Sequence, residues 1–175
     1  MGGEWSAPAQ SRTSARCSPS RAVHWPNDPT RWLVGTGTLG AWVVHRDGAL
    51  AGHVALTAAA AGRAWPEWHQ ALGVAPERLA VLRRLFVHPD LRRGGLATRL
   101  VAHAEREAAA RGLHPVLDVA ADGSDTVAFW ERRGYRRAGE ARLPAGDQGR
   151  ALRVLLLVSG RAPYPGSPAP SDQTL

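Results

Sequence analysis

Residues 79–111 read LAVLRRLFVHPDLRRGGLATRLVAHAEREAAAR, and this stretch restricts the fold more than any other. Leu79–Val87 is largely apolar and has the length of a strand. His88-Pro89-Asp90 ends it, because a proline has no N–H for the next ladder position. From about Gly95 to Arg111 the period changes: Leu96, Leu100, Val101, Ala104 and Ala108 fall on one face of a helix. Gly112 follows where a left-handed glycine closes a helix. HPVLDVA then supplies another strand near Val116–Ala120. A strand–helix–strand step of this kind implies parallel strands with a right-handed crossover.

The flanking segments imply antiparallel pairing. Ala41–His45 and Ala49–Leu56 are joined by Arg46-Asp47-Gly48, and Asp-Gly between apolar runs is a hairpin signal. A short helix is expected near Glu67–Leu72, with Pro66 suited to its first turn. SDTVAFWERR is the next helix, with Ser124 or Asp125 as N-cap and Gly134 at its end. Two final strands follow, YRRAGEARL and ALRVLLLV. The near-continuous apolar run Leu152–Val158 places the last strand centrally or under cover on both faces. The expected fold is α/β: a mixed, mostly antiparallel twisted sheet with a central parallel strand pair. Residues 1–30 are small, polar and proline-punctuated, and are expected to be disordered or diverged. Residues 31–159 form the domain, and 160–175 a disordered proline-rich tail.

The chain has 175 residues, enough for one domain with a real core. Its formal net charge is +7, and all 22 basic residues are arginine. Such a chain could meet nucleic acid. The arginines are spread along the sequence, however, with no basic tail. A discrete phosphate ligand is the better use of the charge. With Cys17 as the one cysteine, neither an internal disulfide nor a cysteine zinc site can form, and no metal is expected. No apolar run approaches the roughly 20 residues that span a bilayer, and the N-terminus lacks a signal-like apolar stretch. The expectation is a soluble cytoplasmic protein.

The turn Val87–Thr98 carries the chemistry. The first N–H groups of a helix have no partner within it and lie at the positive end of its dipole. Glycines there allow close approach to the backbone, and arginines add donors for phosphate oxygens. The combination is an anion site for phosphate or pyrophosphate. The plainer alternative is that Gly94-Gly95 makes a tight turn flanked by solvated arginines. This turn contains no G-x-G-x-x-G, and a P-loop needs a lysine that the chain lacks.

Arg92-x-x-Gly95-x-Ala97 resembles the R/Q-x-x-G-x-G/A motif of the GNAT superfamily of N-acetyltransferases. LRRLFVHPDLRRGGLATRLVAHAEREAAARG is similar to that family's strand, pyrophosphate loop and helix, and LDVAADGSDTVAFWERRGYRRAG to its second strand and helix. The resemblance covers roughly residues 35–158. It implies acetyl-CoA as co-substrate, with the main chain of Leu85, Phe86 and Val87 pairing with pantetheine. Arg92, Arg93, Gly94, Gly95, Leu96, Ala97 and Thr98 would wrap the pyrophosphate. Ser124, Asp125 and Trp130 would lie by the pantetheine arm, with the strand near Val119 splayed from that of Phe86. The implied reaction is direct acetyl transfer to a primary amine of a small molecule or protein. The composition argues against a membrane partner, a nucleic-acid binder stands as a disfavoured third reading, and a homodimer is left open.

The chain departs from the pattern in places. Trp130 stands where many relatives carry a tyrosine that protonates the leaving thiolate, so Tyr135 is the nearby phenol, and packing is its alternative role. Gly123 replaces a frequent asparagine, and Val81 a frequent glutamate. His53, Glu77 and Glu67 are then the candidates for a general base, while His88 is expected to shape the His-Pro turn. The first 30 residues do not read as the elements that build an acceptor site, so these are missing or diverged. Trp25, Trp32, Trp65 and Trp68 are candidates to line what remains. A non-catalytic module that holds acyl-CoA or a partner is the alternative function.

Overall fold

The computed structural model describes residues 36–47, 49–62, 64–145 and 150–160. The segments 1–30 and 161–175, Trp25 and Trp32 lie outside the described residues. Six strands hydrogen-bond in the order β1 (Thr38–Arg46), β2 (Ala49–Ala58), β3 (Leu79–Val87), β4 (His114–Ala120), β6 (Arg150–Ser159), β5 (Tyr135–Ala145). The helices are α1 (Trp65–Leu72), α2 (Leu96–Ala110) and α3 (Ser124–Arg132). β3 and β4 run parallel, and the β1–β2, β4–β6 and β5–β6 pairings are antiparallel. This is the mixed sheet that the sequence implies. Single 3-10 turns at Ala59–Ala61, Pro76–Arg78 and Pro89–Leu91 were not visible in the pattern.

The chain divides into two compact units, one from the residues up to Ala58 with Leu82–Glu107, the other from Ala59–Val81 with the residues from Ala108 on. In the first unit, the β1–β2 hairpin runs from Thr38↔Thr57 to Arg46↔Ala49. Asp47 in its turn has φ 53°, which a short polar side chain tolerates. One face of the hairpin meets α2: Trp42 packs edge-on against His103 with centroids 5.0 Å apart. A Cβ at Gly52 would sit 3.0 Å from both the Leu100 side chain and the Phe86 carbonyl, so glycine permits that close approach. Leu100, Val101 and Ala104 are fully buried on α2, with Leu96 half-buried.

In the second unit, Leu79, Ala80 and Val81 pair in parallel with His114, Pro115 and Val116. β4 therefore begins before the expected Val116. A proline is tolerated this close to a strand's start. β6 lies between β4 and β5, and its residues Val154–Ser159 are all buried, which accounts for the apolar run from Val154 on, whereas Leu152, expected under cover, is exposed. Trp68 of α1 joins Leu79, Val81, Val116, Val154, Leu156 and Val158 in one core. α2 ends as its glycine foretells: Gly112, at φ 65°, donates to the Ala109 carbonyl, and the Leu113 N–H donates to that of Ala108. The start of α3 requires a correction. Its N-cap is Gly123, with no side-chain cap bond, and neither Ser124 nor Asp125 caps it. The tight turn in which Gly123 N–H donates to the Ala120 carbonyl brings the chain into the helix before either residue.

Candidate functional site

The site grows from the end of β3. The His88 N–H donates to the Ala51 carbonyl at 2.8 Å, tying that end to β2. His88 then shapes the turn: its Nδ1 accepts from the Asp90 N–H at 3.4 Å, and its carbonyl accepts from Leu91 at 2.9 Å. Arg92 folds back, its Nε donating to the Val87 carbonyl at 3.3 Å.

Beyond this point the backbone alternates in hand. φ is −66° at Arg92, +64° at Arg93 and +77° at Gly95, with Gly94 outside the positive-φ residues between them. Arg92 is extended, with ψ 162°, so the two left-handed residues turn the chain sharply from that extended residue into the start of α2. Nothing lies within 4 Å of a Cβ built on Gly95, so the backbone there is open to approach. The Arg99 N–H donates to the Gly95 carbonyl at 3.0 Å. The N–H groups of Leu96, Ala97 and Thr98 therefore head α2 with no acceptor in the helix, at its positive end. Arg92, Arg93, Gly94, Gly95 and Thr98 are exposed, while Leu96 and Ala97 are half-buried. The loop thus brings together one set of sequence candidates, next to the half-buried Leu85, Phe86 and Val87 of β3.

The proton-transfer candidates are dispersed. His53 is 1% exposed on β2. Its Nδ1 lies 2.9 Å from the Arg84 carbonyl, which can only accept, so the proton sits on Nδ1 and Nε2 is bare. That Nε2 is buried without a hydrogen-bond partner. Burial holds the imidazole pKa below its usual value, the Arg84 carbonyl opposes that shift, and the Arg84 charge adds to it. The ring stacks on Phe86 at 5.9 Å. Glu77 is exposed in the turn leading into β3, and Glu67 is half-buried on α1. In the second unit Tyr135 is buried, with Trp130 edge-on at 5.0 Å; Trp130 is buried as well and meets Phe129. Ser124 is exposed at the first position of α3, Trp65 is exposed, and Val81 and Trp68 belong to the core. Among the described residues, no group of three or more His, Cys, Asp or Glu side chains could hold a metal ion, and no helix is long and apolar enough to cross a membrane.

Sequence reasoning missed Arg84. It stands at φ +54° inside β3, in a region that non-glycine residues rarely enter. The signal was Arg83-Arg84 itself: in a regular strand, adjacent residues face opposite sides, so paired arginines disrupt an apolar alternation.

Comparison with known proteins bears on this geometry. Solved structures with the same fold include the ribosomal-protein-S18-alanine N-acetyltransferase of Escherichia coli, with TM-score 0.56 and 22% identity over 89% of this chain and 87% of that one. A ribosomal-protein-alanine N-acetyltransferase of Brucella melitensis gives TM-score 0.54 and 19% identity over 70% and 68%. A putative streptothricin acetyltransferase of Bacillus anthracis, solved in complex with acetyl coenzyme A, gives 0.52 and 14% over 77% and 64%. At these identities the likeness is one of fold. No curated protein matches the chain. The model of the acetyltransferase (GNAT) family matches residues 8–135, a span that includes β1 to α3 with the alternating loop before α2, and the chain belongs to that family.

Proposed function

We propose that the protein transfers an acetyl group directly from acetyl-CoA to a primary amine of a small molecule or a protein. The observation that carries this reading is the loop Arg92–Thr98, with its alternating backbone, open Gly95 and exposed Arg93 at the head of α2. The N–H groups that head α2 and a guanidinium fit the oxygens of a pyrophosphate. The main chain of Leu85–Val87 then holds the pantetheine arm as an added strand.

In the reaction the amine nitrogen bonds to the thioester carbon, the C–S bond breaks, CoA leaves as a thiolate, and the proton lost by the nitrogen passes to solvent or to that thiolate. A thiol has a pKa of about 8.5, so its departure needs no strong acid. The reading therefore does not depend on Tyr135, which is packed against Trp130. Holding amine and thioester in line lowers the entropic barrier, and backbone N–H groups near Phe86 and Val87 polarise the carbonyl.

The test is calorimetric titration with acetyl-CoA, alongside Gly95→Trp, whose indole would occupy the loop's open side. Binding is expected for the wild type and lost in the variant. Absence of heat in both would end this reading. A second reading, a module of the same fold that binds acyl-CoA without turnover, is favoured by the packed Trp130 in place of a free phenol. Release of CoA thiol with a broad amine panel separates the two: release supports the enzyme, and binding without release supports the module.

A further inference from the structure

We infer that His53 is a positioning residue, whose Nδ1–H grips the Arg84 carbonyl and thereby aims the backbone of Leu85–Val87 at the acyl carrier. This rests on the function proposed above. It starts from a conformation that calls for an explanation. Arg84 is at φ +54°, where an L side chain is strained and the surroundings must hold it. The residue that meets its carbonyl, at 2.9 Å, is His53 of the neighbouring strand.

Three features make the imidazole a clamp. It is almost completely enclosed, at 1% exposure. It lies flat on Phe86, with ring planes 14° apart and centroids 5.9 Å apart, so its plane is set by the strand that it holds. Its Nε2 is enclosed and has no hydrogen-bond partner, which leaves Nδ1 as the nitrogen that acts. A base for an incoming amine needs the opposite arrangement, with its lone pair open to the substrate.

Planarity carries the effect onward. The Arg84 carbonyl and the Leu85 N–H belong to one trans peptide plane and point in opposite directions. Drawing the carbonyl toward β2 turns the Leu85 N–H away from β2. The side-chain faces agree: Trp42 and Gly52 face α2, so His53, next after Gly52, lies on the other face of the hairpin. β2 therefore contributes packing against α2 on one side and the grip on Arg84 on the other.

The experiment compares wild type with His53→Ala, His53→Asn and His53→Gln. The asparagine amide places an N–H close to the position of Nδ1, whereas glutamine carries its amide one carbon farther out. Acetyl-CoA affinity by calorimetry, KM for acetyl-CoA, kcat, and amide exchange of Leu85 and Phe86 without ligand are measured for each. The alanine and glutamine variants are expected to bind acetyl-CoA about tenfold more weakly, the effect of about one hydrogen bond, with raised KM and faster exchange at Leu85. His53→Asn is expected to recover most of the affinity and protection, which lost packing alone would not restore. If all three variants bind like wild type, the inference is overturned. It also falls if asparagine and glutamine lose kcat alike at unchanged affinity, which would mark a proton carrier. If the wild type binds no acetyl-CoA, the acetyl-transfer reading fails, while the exchange data still decide whether His53 holds the Arg84 peptide.

Discussion

Arg93 and Gly95 both adopt the left-handed conformation, and they differ in what that requires. Glycine takes it freely, whereas arginine bears a cost of about 1 kcal/mol. Gly95→Ala leaves space unchanged, since nothing lies near the added carbon, but introduces the strain. It should destabilise the protein by about 1 kcal/mol, read as a lower urea midpoint at unchanged slope. Arg93→Ala should weaken acetyl-CoA binding about five- to tenfold at low salt, and the difference should shrink as salt screens the exposed charge. An effect independent of ionic strength would contradict a purely electrostatic role. At this scale the turn into α2 was legible, because its paired glycines mark the change of chain direction locally. The partnership of His53 with Arg84 was not, because the residues are 31 positions apart and the bond goes to a main-chain carbonyl.

Among elements, α2 was the most legible and the start of α3 the least. The apolar face of α2 repeats at helical spacing, and Leu100, Val101, Ala104 and Ala108 are all fully buried. Leu100→Ala should cost about 2–5 kcal/mol, as expected for a large side chain removed from a closed core, measurable by urea unfolding. Gly112 ends the helix at φ 65°, so Gly112→Ala should cost about 1 kcal/mol through the backbone alone. α3 was misread at its first residue because capping depends on the direction from which the chain arrives. The turn at Ala120–Gly123 sets that direction, and no side-chain pattern records it.

At the scale of the whole molecule, His53, His103 and His114 all have pKa values lowered from 6.5, with burial the largest cause in each. The unfolded chain takes up these protons near pH 6.5 and the folded chain only below it. The stability that neutral imidazoles contribute is therefore complete above pH 6.5 and declines as pH falls below it. Melting temperatures should be level from pH 8 to 7 and decrease toward pH 5; a rise on acidification would contradict this. If His53 takes no part in proton transfer, kcat/KM should follow the titration of the acceptor amine, with no inflection from this histidine. The sheet as a whole was legible because its parallel step and its hairpins have separate signatures. The order β4-β6-β5 was not spelled out, since periodicity marks burial and is silent on neighbours.

That order has a consequence for how the protein is made. Among the described residues β6 is the last strand in sequence, yet it sits between β4 and β5 in the sheet. During synthesis β4 can pair with β3, but β5 has no neighbour in the sheet and the position between β4 and β5 stays empty until residues up to Ser159 have left the ribosome. A nascent chain stopped before Arg150 should thus bind chaperones and be cut readily by protease around β5. One extended through Ser159 should become resistant within a narrow window of added length, as a strand that arrives last completes the sheet from the inside.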